Sequence, residues 1–374
     1  MQGLYIHIPF CQRRCIYCGF YSTTMLSLRQ RYVEALCEEM RLRRGGRIQT
    51  IYLGGGTPSQ LSPEMLSLLF AAIDDSYEVD WRQAEITMEC NPDDITPSYA
   101  DMLGSLPVNR VSMGVQSFSD QRLRFLHRRH NATQAREAVS LLRRAGFSNI
   151  SIDLMFGFPS ETMREWEEDI GAALSLNVEH LSAYSLMVEE GTPLHQMVES
   201  HQVEEIDEET YILMYETLVG RLSKAGYEHY EINNFARPGY RSRHNSSYWN
   251  NTPYIGIGAA AHSYDGTSRQ SNIDDVSAYI TSIAHGNIPM EREILSTTDH
   301  YNDMITTALR TSEGIDLREV SSRFGPSYLD YLLENARVAI RKRQLIMEQE
   351  HLHLTLSGIA VSDMVASDLI MLES

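Results

Sequence analysis

Six short apolar segments alternate with helical patterns along the first half of the chain. The predicted strands cover residues 4–8, 50–53, 85–89, 110–115, 149–154 and 180–186. The helical segments between and after them include 29–43 and 62–73, and the predicted N-caps are Ser62, Asn131 and Asp207. Strands that alternate with helices predict βαβ units and a parallel sheet. Because six units are too few to close an eight-stranded barrel, the sequence predicts an α/β fold with an open six-stranded (β/α)6 barrel.

The pattern changes after about residue 299. Three predicted helices, at 299–310, 316–324 and 326–341, precede a strand at 344–348, a second strand at 350–354 and a helix from Ser357. Three helices followed by a hairpin are typical of a winged-helix shape. The sequence therefore predicts a partial barrel at 1–230, a barrel extension at 231–298 and a winged-helix-like α+β domain at 299–374.

The charge balance excludes several classes of partner. The chain has 32 Lys and Arg against 50 Asp and Glu, a net charge of −18, and residues 299–374 carry seven basic and twelve acidic residues. Nucleic-acid binding needs basic surface, so no nucleic-acid partner is expected. No apolar run is long enough to cross a bilayer, and the N-terminal residues do not form a secretory signal. Five cysteines, an odd number, favour a reducing cytoplasm over a disulfide framework.

Three of the five cysteines, Cys11, Cys15 and Cys18, lie within eight residues after the first strand. Three thiolates on one short loop suit a metal cluster. A structural zinc ion prefers four ligands in two pairs, and Cys37 and Cys90 do not form a second pair. A [4Fe–4S] cluster with only three cysteine ligands leaves one iron open for a substrate or cofactor. The alternative is three buried, unligated thiols. Cys37, in a helical segment, is predicted to be a core residue.

Polar or glycine-rich features follow several of the predicted strands. The Gly-Gly-Gly-Thr-Pro segment at 54–58 follows the second strand, and Glu89, Gln116 and Asp153 lie at or near the ends of the next three. Parallel α/β folds place functional groups at this edge, although any one of these residues could belong to an ordinary loop. Glycines allow close approach to a ligand, and their N–H groups can bind a carboxylate. The sequence therefore predicts a site for a small zwitterionic ligand.

Together these motifs resemble the radical S-adenosylmethionine (SAM) superfamily. Within it, the chain is similar to the branch that holds the oxygen-independent coproporphyrinogen III oxidases and the HemW haem chaperones. The matching motifs lie at 5–10, 11–18, 54–58, 89–92, 114–118, 153–159 and 244–249, so they cover almost the whole chain.

The resemblance implies the roles of individual residues. Cys11, Cys15 and Cys18 would hold a [4Fe–4S] cluster, with SAM at the open iron. Arg128 would otherwise be interpreted as a solvated helix end, and its role follows from the resemblance alone. The implied SAM-site residues are Tyr5 and Tyr17 beside the cluster, with Tyr17 near the adenine, Gly55, Gly56 and Thr57 at the methionyl end, Glu89 near the ribose, and Gln116, Arg128 and Asp153.

Two departures separate this chain from the oxidases of that branch. The oxidases have a further cysteine where Phe20 stands here, and a segment before the first strand. The resemblance therefore implies a haem chaperone that passes haem to an acceptor protein and uses an electron donor for its cluster. The alternative is oxidative decarboxylation of coproporphyrinogen III through a 5′-deoxyadenosyl radical. A structural iron–sulfur protein is disfavoured, because it would need no cofactor pocket.

The His-Asn-Ser-Ser-Tyr-Trp segment at 244–249 is the haem candidate. His244 could be an axial haem ligand, with Tyr248 and Trp249 against the porphyrin. The alternative is a packed loop with a hydrogen-bonded histidine. His7 and His262 are weaker candidates.

Overall fold

The central part of the fold is a run of parallel strands that follow one another in chain order. The computed structural model describes residues 2–372. Six strands are ordered β1-β2-β4-β5-β6-β7 and pair in parallel, which confirms the predicted α/β fold. The short β3 pairs with β2 alone. The strands are β1 (Gln2–Ile8), β2 (Arg47–Gly55), β3 (Glu78–Val79), β4 (Glu85–Cys90), β5 (Arg110–Gln116), β6 (Ile150–Phe156) and β7 (His180–Ser185).

The helices between these strands begin at the predicted caps. Ser62, Asn131 and Asp207 each accept a hydrogen bond from a backbone N–H of the first turn. Each such cap stabilises its helix by about 1 kcal/mol. The helices are α1 (Arg29–Leu42), α2 (Pro63–Ser76), α3 (Pro97–Gly104), α4 (Asp120–Phe125), α5 (Ala132–Arg144), α6 (Met163–Ser175), α7 (Pro193–Glu199) and α8 (Glu208–Lys224).

The two faces of the parallel sheet differ in polarity. Successive side chains along a strand point to opposite faces. One face is apolar and packs against the helices in the main hydrophobic core. The other, called the inner face below, is polar. Inner-face residues include Tyr5 and His7 of β1, Tyr52 of β2, Glu89 of β4, Arg110 and Ser112 of β5, Asp153 of β6 and Ser182 of β7. This alternation builds a polar interior into a parallel sheet, whose strands are usually apolar on both faces.

Six further strands extend the sheet at both edges. The strands β9 and β8 follow β7, while β10 pairs in parallel with β1 and is followed outward by β11, β12 and β13. The two outermost strands of residues 2–372, β13 and β8, do not pair, so the sheet is open and larger than the six predicted strands. The elements are β8 (Glu228–Glu231), β9 (Asn234–Ala236), α9 (Arg243–Trp249), β10 (Tyr254–Ile257), β11 (His262–Tyr264), β12 (Ser268–Asn272), α10 (Val276–Ala284) and β13 (Met290–Ile294).

The C-terminal part has its own hydrophobic cluster, formed by residues between Tyr301 and Leu369. Its three helices and hairpin follow the predicted order, but the single helix expected from Ser357 is two short helices, and β14 adds a third strand beside β16. The elements are α11 (Thr297–Leu309), β14 (Ile315–Asp316), α12 (Leu317–Phe324), α13 (Pro326–Arg341), β15 (Leu345–Glu348), β16 (His351–Leu354), α14 (Leu356–Ile359) and α15 (Ser362–Leu369).

An ion pair with a buried carboxylate joins this part to β8 of the large sheet. Arg310, directly after α11, donates to the buried carboxylate of Glu231 at 2.9 Å.

Between residues 2 and 372, no helix combines the length and apolar character needed to cross a membrane.

Candidate functional site

The cysteine loop leaves β1 at the carboxyl end of the parallel strands. Backbone hydrogen bonds from Cys11 N to Thr23 O at 2.9 Å and from Thr23 N to Pro9 O at 2.7 Å close its base. The three thiols, of Cys11, Cys15 and Cys18, are half-buried, and all are free. The loop therefore holds three free, half-buried thiols close to the carboxyl ends of the parallel strands.

The spacing of the thiols argues against a single metal ion. Across residues 2–372, no three His, Cys, Asp or Glu side chains lie close enough together to hold one ion. In an iron–sulfur cluster each thiolate binds a different iron, so the thiols stand further apart than around one zinc ion. The loop thus fits a cluster better than a mononuclear site.

The other two cysteines lie in the hydrophobic core. Cys37 is buried on α1 and its thiol donates to Leu68 O at 3.8 Å, which confirms the prediction that it is a core residue. Cys90 is the last residue of β4 and is also buried. Neither belongs to the cysteine loop.

The glycine segment packs against the cysteine loop. Gly55 N donates to Glu89 Oε2 at 3.0 Å, and Gly56 N and Thr57 N both donate to Ile8 O, at 2.9 and 3.3 Å. The expectation that these N–H groups are free to bind a carboxylate is therefore wrong, because each already has an acceptor.

The glycines contribute close approach instead. A Cβ atom at Gly56 would lie 2.8 Å from the carbonyl carbon of Pro9 and 3.1 Å from Cys11 Sγ. Gly55 has a φ of +114°, a region that favours glycine. Thr57 Oγ1 lies 3.5 Å from Cys11 Sγ. The segment thus brings the end of β2 against the first cysteine, which a larger residue at Gly56 would prevent.

Glu89 and Asp153 place two carboxyl groups on the inner face. Glu89 accepts hydrogen bonds from Tyr52 OH at 2.8 Å and from Gly55 N at 3.0 Å. Burial raises the pKa of Glu89 to about 7 and that of Asp153 to about 6. Ser112 Oγ donates to Asp153 at 3.5 Å. Both groups are therefore acceptors whose charge changes near neutral pH.

Arg128 connects the cysteine loop to two strand ends. Its Nη1 donates to Cys15 Sγ at 3.6 Å, and its Nη2 donates at 2.6 Å to both Asn91 Oδ1 and Gly114 O. Arg128 is thus not a solvated helix end. Asn91 also donates to Thr57 Oγ1 at 3.3 Å. No role was predicted for Asn91 from the sequence, although its place directly after β4 was a usable signal.

Gln116 lies beside this arginine. A Cβ atom at Gly114 would be 2.9 Å from Gln116 Nε2 and 3.3 Å from Arg128 Nη2, so both side chains lie against Gly114. Gln116 has a φ of 69° at an irregularity in the pairing of β5 with β6. A non-glycine residue in this region is strained, and such strain is commonly found at functional sites.

The two aromatic candidates occupy different places. Tyr17, within the cysteine loop, packs against a small apolar cluster of Leu126, Met155 and Phe158. Tyr5 lies on the inner face, where its ring stacks on Tyr52 at 6.2 Å between centroids and its hydroxyl lies 2.9 Å from His7 Nδ1. Tyr17 is therefore near the thiols of the cysteine loop, whereas Tyr5 lies deeper on the inner face.

His244 lies away from the cysteine loop, in α9 on the inner face. Its Nδ1 lies 2.8 Å from Thr50 Oγ1, its Nε2 lies 2.9 Å from Tyr248 OH, and its ring stacks on Tyr52 at 5.1 Å. Gly55 lies five positions further along β2 than Thr50, roughly 16 Å away at about 3.3 Å per residue. With 1% exposure and both ring nitrogens engaged, His244 is a packed, hydrogen-bonded histidine and does not fit the role of haem ligand.

The two weaker histidine candidates differ in exposure. His7 is buried, with Nδ1 beside Tyr5 OH and Nε2 3.1 Å from Tyr21 O, and burial lowers its pKa to about 4. His262, the first residue of β11, is exposed. Of the three histidines, only His262 has an exposed side chain.

A cavity of about 360 Å³ opens beyond the ends of β6 and β7, and its lining combines apolar residues with Ser185, Glu205 and Glu208. It lies at the same edge of the sheet as the cysteine loop. The sequence did not indicate it, because apolar residues after a strand resemble ordinary packing. Its lining includes Gly157, Pro159, Leu186, Met187, Val188, Leu194, Ile206 and Tyr211.

Comparison with known proteins agrees with this geometry. Residues 5–173 match the model of the radical SAM superfamily, and residues 295–361 match the HemN C-terminal domain. The solved structure of coproporphyrinogen III oxidase (HemN) from Escherichia coli, described as a radical SAM enzyme, matches with a TM-score of 0.85 at 20% identity. That match covers 99% of this chain and 90% of the oxidase, and it shows the shared fold.

Curated relatives match over nearly the full length. The haem chaperone HemW of Bacillus subtilis is 35% identical over 365 residues, 96% of each chain. HemW of Lactococcus lactis is 33% identical, over 97% of this chain and 96% of the relative. The chain therefore belongs to the HemW family within the radical SAM superfamily.

Proposed function

We propose that this protein is a haem chaperone that binds a [4Fe–4S] cluster, SAM and haem and passes haem to an acceptor protein. The full-length similarity to proteins named haem chaperone HemW carries the proposal. A reducing cytoplasm suits its five free cysteines.

Cys11, Cys15 and Cys18 would hold the cluster. The open iron would supply a ligand position for SAM, and an external electron donor would reduce the cluster. Arg128 supports the loop by donating to Cys15 Sγ, and Thr57 lies beside Cys11. These contacts position two of the three thiols before any cluster is bound.

SAM would lie across the strand ends between the cysteine loop and the inner face. Gly55, Gly56 and Thr57 keep β2 close to the loop, and Tyr17 offers an aromatic surface beside the thiols. Glu89 and Asp153, when ionised, can accept hydrogen bonds from ribose hydroxyl groups. Other residues assigned to this site are Tyr5, Gln116 and Arg128.

The alternative function is oxidation of coproporphyrinogen III, favoured by the structural match to HemN. Phe20 argues against it, since the oxidases carry a cysteine at that position. Phe20 is 74% exposed and so does not enclose a substrate. A radical enzyme must shield its reacting substrate from water and competing hydrogen donors.

One experiment separates the two functions. The protein is reconstituted with iron and sulfide without oxygen, then titrated with haem and, separately, incubated with SAM, a reductant and coproporphyrinogen III. Stable haem absorbance without turnover supports the chaperone. Repeated formation of protoporphyrinogen would show that the oxidase function is correct instead.

A further inference from the structure

The cysteine loop and the segment packed against it are rich in arginine, although the protein is acidic. Segments 11–20 and 121–131 contain six arginines and no acidic residue, whereas the whole chain has 50 acidic and 32 basic residues. The two segments are in contact, since Ile16 N donates to Leu126 O at 3.4 Å and Arg129 donates to Gln12. They therefore form one surface, called the loop face below.

Half of these arginines are already engaged inside the protein. Arg122 pairs with Glu165 at 3.1 Å, Arg129 pairs with Asp93 and Asp94, and Arg128 donates to Cys15 and two strand ends.

The other half are free. Arg13, Arg14 and Arg124 are exposed, and within residues 2–372 their side chains form no hydrogen bond or ion pair. The positive charge of the loop face thus comes from cations without partners. The face is bounded on one side by Glu189, whose side chain lies against Gly19.

Apolar surface lies beside these cations. Phe20, two residues after the last cluster cysteine, is 74% exposed. A groove of about 430 Å³ lies next to the loop. Exposed aromatic surface beside charge is typical of protein–protein contacts. Ile16, Phe125, Pro193 and Met197 are the apolar residues of its lining, which also includes Arg124 and His127.

We propose that the loop face docks an acidic one-electron carrier protein that reduces the cluster held by Cys11, Cys15 and Cys18. The net charge of −18 repels an acidic partner from most of the surface. Free cations around the cysteine loop attract that partner at the one place where the thiols reach the surface. Electron-transfer contacts are small and form quickly through charge complementarity. The three arginines can supply the charge, and Phe20 adds exposed apolar surface.

The chemistry is a single electron transfer. The reduced carrier loses one electron and the oxidised cluster gains it, with no bond formed or broken. This inference rests on the proposed function, because it requires a cluster at the three cysteines.

The test measures how fast the reconstituted cluster is reduced in stopped flow. The probes are a reduced acidic flavodoxin and, as a small uncharged reductant, photoreduced 5-deazariboflavin. The variants are Arg13→Glu/Arg14→Glu and, outside the cysteine loop, Arg124→Glu. The control, Arg44→Glu/Arg82→Glu, makes the same charge change at exposed residues before β2 and β4, at the opposite end of the strands.

We expect the double variant to be reduced by flavodoxin about tenfold more slowly at low salt, and Arg124→Glu to be slower by a smaller factor. Reduction by deazariboflavin and iron content should not change, and the control should stay close to the wild-type rate. Added salt should slow the wild-type protein most.

Three outcomes would overturn the proposal. Wild-type rates in both loop-face variants would show that flavodoxin docks elsewhere, and equal slowing in the control would show that only net charge matters. If the double variant loses iron, Arg124→Glu decides, and a wild-type rate there contradicts the proposal. A wild-type protein that assembles no cluster would contradict the proposed function itself.

Discussion

Arg128 Nη1 donates a hydrogen bond to Cys15 Sγ at 3.6 Å, although 113 residues separate the two in the chain. The same guanidinium donates through Nη2 to Asn91 at the end of β4 and to Gly114 in β5. One side chain therefore holds the cysteine loop against two strands. The position of the proposed cluster relative to the inner face depends on this contact.

The first prediction concerns Arg128. Arg128→Lys keeps the charge but loses the planar fork that reaches Cys15, Asn91 and Gly114 together. We expect SAM to bind the reconstituted variant at least about tenfold more weakly, a loss of about 1.4 kcal/mol, measured by calorimetry. Arg144→Lys, at an exposed position on α5, is the matched control and should bind as the wild type does. Unchanged SAM affinity in Arg128→Lys would remove Arg128 from the site.

The second prediction concerns the cysteines. Alanine at Cys11, Cys15 or Cys18 should abolish the brown chromophore and lower the iron content after reconstitution. Cys37→Ala and Cys90→Ala should retain both and lose about 1 kcal/mol of stability, because both thiols are buried in the core. Loss of iron in a folded Cys90→Ala variant would contradict the three-ligand cluster.

The third prediction concerns Glu89 and pH. Its pKa of about 7 means that the carboxylate, which accepts hydrogen bonds, forms as the pH rises from 6 to 8. SAM affinity of the reconstituted protein should therefore rise over this range, and Glu89→Gln should bind more weakly with a flatter pH profile. Asp153, Tyr52 and Arg110 also act on this group and should shift the midpoint when changed. The same pH slope in Glu89→Gln would show that another group titrates.

The effect of Glu89 on folding has the opposite sign. The pKa in the folded protein is raised above the ordinary value of 4.5, so the folded state binds more protons between pH 4.5 and 7. The contribution of Glu89 to stability is therefore full below pH 4.5 and is lost as the pH rises through 7. Urea unfolding of the SAM-free protein should show this loss, and Glu89→Gln should lack it.

The fourth prediction concerns His244. His244→Ala leaves Thr50 and Tyr248 without a partner and removes a ring stacked on Tyr52, so we expect a loss of about 2–3 kcal/mol in unfolding free energy. Haem affinity of the folded variant should not change. His262→Ala, at an exposed position, is the control for stability. A folded His244→Ala protein that no longer binds haem would show that His244 is the haem ligand after all.

His244 also makes stability depend on acid. Burial lowers its pKa in the folded protein to about 3, below the ordinary 6.5, so the unfolded chain binds the proton first. Its contribution is lost as the pH falls from 6.5 towards 3, at up to about 1.4 kcal/mol per pH unit. His244→Gln should flatten this part of the unfolding profile.

The polar inner face was present in the sequence as a pattern. Each of the six strands alternates apolar and polar residues, as in Ile86, Thr87, Met88 and Glu89. That period shows which side chains share a face. The strands outside the six parallel ones were missed because all are short and several are polar, as β12 (Ser268–Asn272) shows, and because their pairing depends on strands already in place.

Local sequence determined the features that need only neighbouring residues. The spacing of Cys11, Cys15 and Cys18 puts three thiols on one loop. The Ser62, Asn131 and Asp207 side chains each cap a helix by accepting a hydrogen bond from the backbone N–H three residues further on. These interactions form wherever the chain adopts the local geometry, so the pattern alone predicts them.

Tertiary structure decided the roles of Arg128 and His244. Both are polar residues in short segments. A polar side chain in such a segment can equally be exposed to solvent or bind a ligand. Arg128 reaches Cys15 across 113 residues, and His244 reaches Thr50 across 194. Whether a side chain is free to bind a ligand depends on which partners the folded sheet brings to it. Those partners are set by the packing of distant strands, which one segment of sequence does not contain.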